Sequence, residues 1–468
     1  MTADATTLDA YLDEHRERRI AAYLDFLRIP SISGIPDHAG DCRHAAEFLA
    51  DQLRGAGAEN VEVCETGGHP IVYADWLHAE GAPTVIVYGH YDVQPADPID
   101  EWETAPFEPF VADGRVVGRG AADCKGQVML HVRSLEAQLA TRGSLPVNVK
   151  YVFEGEEESS STHLDAWLEG NRDRLAADIA VISDTGFFDG NLPAITIGLR
   201  GVTALEVHVH GAPRDLHSGG YGGAVHNPIN ALCEIVAALK GPDGRVRVPG
   251  FYDDVVPLTD EDRAAFAALP FDEEAYRVQT GVPALYGEVG FTTLERRGAR
   301  PTLDVNGIWG GFQGAGGKTI IPASAHAKIT CRIVADQDPD RIVDLVRAYI
   351  EEVAPPGVTV VVDAIGGGRP SLTPIEHPAT RAAARAIERT FGVAPLYIRE
   401  GGSVPICASF EHILALPVVL LGFTNDDDRA HAPNESMVLA NAETGIRTVA
   451  AYWEELAATG VAGLHPEG

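Results

Sequence analysis

Apolar and polar positions recur along this chain with two periods, and the changes between them divide it into parts. Near the start, Leu8, Tyr11, Leu12, Ile20, Tyr23 and Leu24 fall at helical spacing until Pro30 and Gly34 in RIPSISG end the run. A second helix is predicted over 44–53, closing in the Gly-containing RGAGAEN. VEVCET, PIVYADWL and TVIVYGHYDV follow as short β-branched apolar runs between Gly and Pro breaks, which is the pattern of strands. A helix over 126–142 leads into the strand-like NVKYVFEGEEE, a helix over 165–175 into DIAVISD. Helix and strand in alternation predict an α/β domain with a mostly parallel sheet and helices on both faces. In such sheets, functional side chains gather at the carboxyl ends of the strands.

From about residue 199 the pattern changes. TALEVHVHG and SAHAKITCRIVA alternate apolar and polar residues, as half-buried antiparallel strands do. Helices are predicted over 228–239 and 339–353, with a Pro/Asp-rich stretch to about Leu269 between them, and VTVVVDAI closes the block. Two helices with three or four alternating strands predict a small α+β domain inserted over 199–370. The α/β character then returns over 371–468, with a helix over 378–391, PLYIRE, PVVLLGF and a last helix over 442–456. The first part, 1–198, and the last are expected to form one split domain.

Composition narrows the function classes. Of 468 residues 45% are hydrophobic and 22% charged, a balance that excludes disorder and a membrane-embedded bundle. The 68 Asp and Glu outnumber the 36 Lys and Arg for a net charge of −32, which repels polyphosphate and anionic lipid. Neither nucleic acid nor a membrane is an expected partner. The longest apolar stretch, 413–423, is broken by Pro417 and too short to span a bilayer. Six scattered cysteines form no Cys-x-x-Cys pair, and the acidic N-terminal segment lacks the features of a signal peptide, so a cytoplasmic location is expected.

Against that background a few polar residues stand out. His90 and Asp92 lie two apart at the end of an apolar run, on one face of it. Asp123 sits in the Gly-rich GRGAADCKG. Glu156, Glu157 and Glu158 follow the buried-looking YVF after Glu154 and Gly155, where like charges strain one another unless a cation or a shared proton compensates. Asp184 ends DIAVISD, and His431 lies in AHAPNE after PVVLLGF. Each is unremarkable alone. Together, two imidazoles and three carboxylates at strand ends of one sheet match the ligand set of a two-zinc hydrolase.

Taken in order, YGHYDVQPA, WETAPFEP, GRGAADCKGQ, FEGEEESSS, ISDTG, DLHSGGYGG, GAGGKTIIPA, REGGSVPI and AHAPNE resemble a known family across nearly the whole chain. It is the dinuclear-zinc metallopeptidase family of carnosinase, PepV-type dipeptidases, carboxypeptidase G, acetylornithine deacetylase and succinyl-diaminopimelate desuccinylase. DVQPA, GGKTIIP and REGGSVP place the chain nearest the dipeptidase branch.

The resemblance implies a catalytic domain interrupted by a lid that also dimerises, and two zinc ions per subunit, with manganese or cobalt as possible replacements. His90 and Asp184 match ligands of one metal, His431 and Glu158 ligands of the other, and Asp123 the carboxylate between them. Glu157 matches the general base and Asp92 the partner that orients His90. With three glutamates in a row, base and ligand are placed on Glu157 and Glu158 because the Ser-rich turn follows directly. His217 matches a histidine that reaches the partner subunit's site, and Thr319, Arg332 and Ser403 match substrate contacts. One departure is Cys124, where the family usually carries Asp or Asn. The implied activity is hydrolysis of dipeptides with a free C-terminal carboxylate, the alternative being an N-acyl-amino-acid deacylase of the same family. A non-catalytic scaffold is disfavoured because every ligand position and the base are occupied, and a two-metal phosphoesterase because no phosphate cradle is present.

Overall fold

The computed structural model describes residues 7–402 and 404–465, and Ser403 lies outside the described residues. The chain forms two compact units. One is built from the described residues up to Ile197, from Thr373–Ile398 and from Ser409 onward; the other from Gly198–Leu372 and Arg399–Ala408.

The first unit is organised by a mixed sheet. Its strands run in the order Glu59–Cys64, Ile71–Trp76, Asn148–Glu154, Thr84–His90, Ile179–Ile182, Val418–Leu420 and Ala194–Leu199. The four from Asn148–Glu154 to Val418–Leu420 are parallel, whereas the flanking pairings are antiparallel. Burial explains the difference in sequence texture. Ile71–Trp76 and Ile179–Ile182 are buried at every position, and Thr84–His90 and Asn148–Glu154 at every position but the first. Such strands read as continuous apolar runs because both faces are covered. Lys125–Arg142 is one of the covering helices, buried along most of its length.

Helix boundaries follow local chemistry. The first predicted helix is two helices, Leu8–Glu14 and Arg16–Leu27, because His15 leaves the helical region at φ −105°, ψ 14°. Ala39–Ala56 ends on Gly57, whose φ of 95° suits glycine. The helix expected over 165–175 is shorter, Leu164–Gly170.

In the second unit, Thr302–Gly310, Ser324–Ile333, Gly201–His210 and Thr359–Gly368 pair antiparallel in that order. Leu205, Val207, Val209, Ala325, Ala327, Ile329 and Cys331 point into a core closed by Ile235, Val346 and Ile350 of the helices Pro228–Leu239 and Pro339–Val353. Burial alternates strictly along both central strands. The Pro/Asp-rich stretch is more regular than its composition predicts. It holds the helix Asp260–Ala268, and Glu273–Thr280 and Thr293–Gly298 follow further on.

Candidate metal centre

Five segments of the first unit bring their polar residues together. His90 closes the strand Thr84–His90 with its side chain fully buried. Its Nδ1 lies 3.1 Å from the Asp92 carbonyl oxygen and 3.4 Å from Asp92 Oδ1. Donation from Nδ1 leaves Nε2 to face 3.0 Å toward Asp123 Oδ1 and 3.6 Å toward Asp184 Oδ1. On the far side, His431 Nε2 is 2.8 Å from Asp123 Oδ2 and 3.2 Å from Glu158 Oε2. Asp123 therefore stands between two imidazoles, one oxygen to each. Around it, His90 groups with Asp123 and Glu158, and also with Cys124 and Asp184, closely enough to share an ion.

Electrostatics mark the cluster as short of positive charge. Contacts with Asp123 and Glu158 push the His431 pKa up to about 10. Burial works against a charged His90, yet Cys124, Asp184 and Asp123 outweigh it and raise its pKa well above the ordinary value. Burial pushes the Glu157 carboxyl up to about 8, with Asp184, Glu158 and Asp123 adding to the shift and His90 opposing it. Two buried oxygens, Asp92 Oδ1 and Glu158 Oε1, have no hydrogen-bond partner among the described residues. Unpaired carboxylate oxygens beside imidazoles that hold a proton in place of a metal are a donor set that suits divalent ions once those protons are displaced. The residues fit the two metals that the sequence implies.

The triple glutamate divides its tasks. Glu156 turns away from the cluster: Oε1 accepts the His69 N–H at 3.0 Å and Oε2 pairs with His163 Nδ1 at 2.8 Å. Glu157 and Glu158 open a single helical turn that ends on Ser160 in a left-handed conformation. Asp92 reaches this turn as well, its Oδ2 accepting the Glu158 N–H at 3.0 Å.

The peptide between Asp123 and Cys124 is cis. The Cys124 thiol is buried and donates to the Ser183 carbonyl at 3.2 Å, and burial pushes its pKa well up. That is the setting of an inert packing thiol.

Sequence reasoning missed the residues that hold these segments in place. Glu435 is fully buried, and its carboxylate accepts the N–H groups of Gly120, Ala122 and Asp123 at 2.9, 2.9 and 3.0 Å. Arg119 donates to the same carboxylate at 2.7 Å and to the Pro95 carbonyl at 3.1 Å. Gln94 donates to Glu158 Oε2 at 2.9 Å. Glu435 lies four residues after His431 in AHAPNE and Gln94 two after Asp92 in DVQPA, so proximity to a ligand was the available signal.

The other candidate residues lie in the second unit. Leu216–His217 pairs with Ile320–Ile321, and the Ser218 N–H bonds the Thr319 carbonyl at 3.0 Å, which puts His217 beside Thr319. His217 Nδ1 accepts the Gly219 N–H at 3.0 Å, so its proton sits on Nε2, on an exposed ring able to donate. Arg332 is half-buried on Ser324–Ile333, opposite Val202 and Thr302.

The profile of Peptidase family M20/M25/M40 matches residues 86–455. The Cys-Gly metallodipeptidase dug1 of Schizosaccharomyces pombe is 31% identical over 95% of this chain and 97% of its own. The human Beta-Ala-His dipeptidase is 32% identical over 96% of this chain and 92% of its own. Among solved structures, the M20 family metallo-carboxypeptidase Sso-CP2 from Sulfolobus solfataricus superposes with a TM-score of 0.78 at 30% identity, covering 94% of this chain and 99% of that one.

Proposed function

The chain belongs to peptidase family M20/M25/M40, a metal-dependent peptide hydrolase, and from that premise we propose that it cleaves dipeptides bearing a free C-terminal carboxylate. The observation that carries the reading is Asp123, bonded through its two oxygens to His90 and His431. Full-length likeness to a Cys-Gly and a Beta-Ala-His dipeptidase supports the short substrate.

His90 and Asp184 would hold one zinc ion, His431 and Glu158 a second, with Asp123 shared; manganese or cobalt suit the same donors. Such ions lower the pKa of a water toward about 7 and polarise a carbonyl. Glu157 acts as general base, taking the proton of the attacking water and returning it to the leaving amine. Asp92 keeps the His90 proton on Nδ1, so that Nε2 stays free as a ligand. His217 donates from Nε2 to the developing oxyanion, and loss of one such donor costs about 10²–10³ in rate. Thr319, Arg332 and Ser403 position the substrate, Arg332 and Ser403 acting near its carboxylate.

In this reading the second unit is a lid that pairs two subunits, with His217 serving the partner's site. A cytoplasmic setting accords with six unpaired thiols. Among the described residues no helix is long and apolar enough to cross a membrane.

A mass-spectrometric panel tests the proposal, using dipeptides, longer peptides and N-acetyl-amino acids before chelation, after it, and after metal add-back. Dipeptides should be cleaved fastest, with activity lost on chelation and restored by zinc. Preference for acetyl-amino acids would select the deacylase reading, preference for longer peptides a carboxypeptidase, and turnover surviving full chelation would sink all three.

A further inference from the structure

The open face of the second unit's sheet carries three histidines that the peptidase chemistry does not use. His208 and His210 lie two apart on Gly201–His210, so their side chains leave from one face. His326 stands directly opposite His208 in the antiparallel register. Their neighbours Val207, Val209, Ala325 and Ala327 fill the core on the other side, which leaves the rings partly or fully exposed. The ring centroids are 4.9 Å apart for His208 and His326, 6.1 Å for His210 and His326, and 6.4 Å for His208 and His210.

The nitrogens are ordered as well as close. Nδ1 of His208 and Nδ1 of His326 face one another at 2.7 Å, a contact in which one nitrogen donates its N–H to the lone pair of the other. The far nitrogen of each ring is also engaged. His208 Nε2 lies 3.3 Å from Asp363 Oδ2 and 3.9 Å from Glu206 Oε1, and His326 Nε2 lies 3.0 Å from Ser324 Oγ. Trp309 stacks on His326 at 5.1 Å and 20°, which holds that ring's plane.

We propose that His208, His210 and His326 form a binding site for one divalent transition-metal ion of the zinc, copper or nickel class, separate from the centre built on Asp123. Imidazole nitrogen suits these ions, and three such ligands leave a fourth position for water or an incoming group. Ligating histidines characteristically give their other N–H to a carboxylate or another acceptor, the arrangement that Asp363 and Ser324 supply here. In the metal-free pair the His326 proton lies on Nδ1 and points at His208. On binding it moves to Nε2, the Ser324 hydroxyl turns from donor to acceptor, and both Nδ1 atoms become ligands with no net proton lost. Two nitrogens on one zinc at Zn–N distances of about 2.0–2.1 Å sit roughly 3.3 Å apart, so the pair opens by about half an ångström. His210, exposed at the end of its strand, completes the set by side-chain rotation. Glu206 and Asp363, paired across neighbouring strands, add the negative charge that draws a cation to this face.

The test is zinc stoichiometry on the full-length protein, stripped by chelation and titrated with Zn²⁺ alone by calorimetry and elemental analysis. The wild type should bind one equivalent more than either His326→Gln or His210→Gln, while Asp123→Asn keeps that equivalent. Asp363→Asn should weaken it about 10- to 100-fold. His210→Gln guards against a folding artefact, since that exposed ring supports nothing in the core and its stripped melting temperature should match the wild type. Equal stoichiometry in the wild type and both histidine variants, or an extra equivalent that survives both substitutions, overturns the proposal.

Discussion

Replacing Glu157 by Gln keeps the volume of the side chain and removes its capacity to take a proton. Its neighbour Glu158, already bonded by His431 and Gln94, is untouched by that change. Glu157→Gln is therefore expected to retain the wild-type metal content, measured by elemental analysis, while turnover falls about 10²–10⁴-fold; near-normal turnover would refute the assignment. His131 offers a residue-scale prediction of another kind. It is fully buried, and burial alone pushes its pKa down to about 3. Ser183 donates its hydroxyl to the Leu421 carbonyl, so His131 must donate from Nε2, and its buried Nδ1 is left without a partner. The ring is neutral in the fold and protonates near its ordinary pKa of about 6.5 once unfolded. Protons then bind the unfolded chain preferentially between pH 6.5 and 3, so stability drops as pH falls through that window, by about 1.4 kcal/mol per unit at most. His131→Gln should cost stability at pH 7.5, and denaturant melts should show the gap to wild type narrowing toward pH 5. A gap independent of pH would contradict it. At this scale the cluster was foreshadowed in part, because His90, Asp184 and His431 come after apolar runs, whereas Asp123 lies in a Gly-rich loop and stood out only in their company. Glu435 was not, since it acts through bonds to residues 312 to 315 positions away that no local pattern encodes.

Those bonds matter most for the loop Gly118–Cys124, which has no regular structure of its own to hold Asp123. Its N–H groups converge on one buried carboxylate carried by the segment that also presents His431, and burial pushes that carboxyl up to about 7. Glu435→Gln sets an amide N–H₂ against the Gly120 N–H and the Arg119 guanidinium, donor facing donor. The loop should loosen around Asp123, with metal affinity falling about 10- to 100-fold, as when other partners of ligands are lost. Calorimetric zinc titration checks this, and Glu288→Gln, which breaks the buried Glu288–Arg300 pair of the second unit, is the control that should lower stability and leave metal affinity alone. Unchanged affinity in Glu435→Gln would show the clamp to be packing only. Element by element, legibility tracked the strength of the period. The buried central strands and the amphipathic helices were readable, whereas Thr302–Gly310 was not, because a bulge between Val305 and Gly307 breaks its alternation. Asp260–Ala268 and Thr293–Gly298 were hidden by a polar composition, although Thr259 with Asp262 and Thr292 with Glu295 form capping boxes that announce both starts.

For the molecule as a whole, the 68 acidic residues first read as a solvated surface, and a handful now belong to a cluster whose sign inverts once divalent ions are held. On the proposed function, the carboxylate of a dipeptide would then be drawn to that cluster through an acidic surround, and a single subunit need not supply every group that meets it. If His217 serves the partner's site, the reaction depends on the dimer, and the defects of two inactive chains become complementary. Glu157→Gln subunits still supply His217, and His217→Ala subunits still supply Glu157. Random pairing of equal amounts makes half the dimers mixed, and each mixed dimer holds one site with both groups. The mixture, after dissociation and reassociation, is thus expected to recover about a quarter of wild-type activity, while each variant alone stays near zero. Were His217 to act within its own chain, no mixed dimer would contain a complete site. Activity no greater than the average of the two separate variants, under conditions where subunit exchange is verified by native mass spectrometry, would therefore exclude the trans arrangement and leave each subunit to complete its own site.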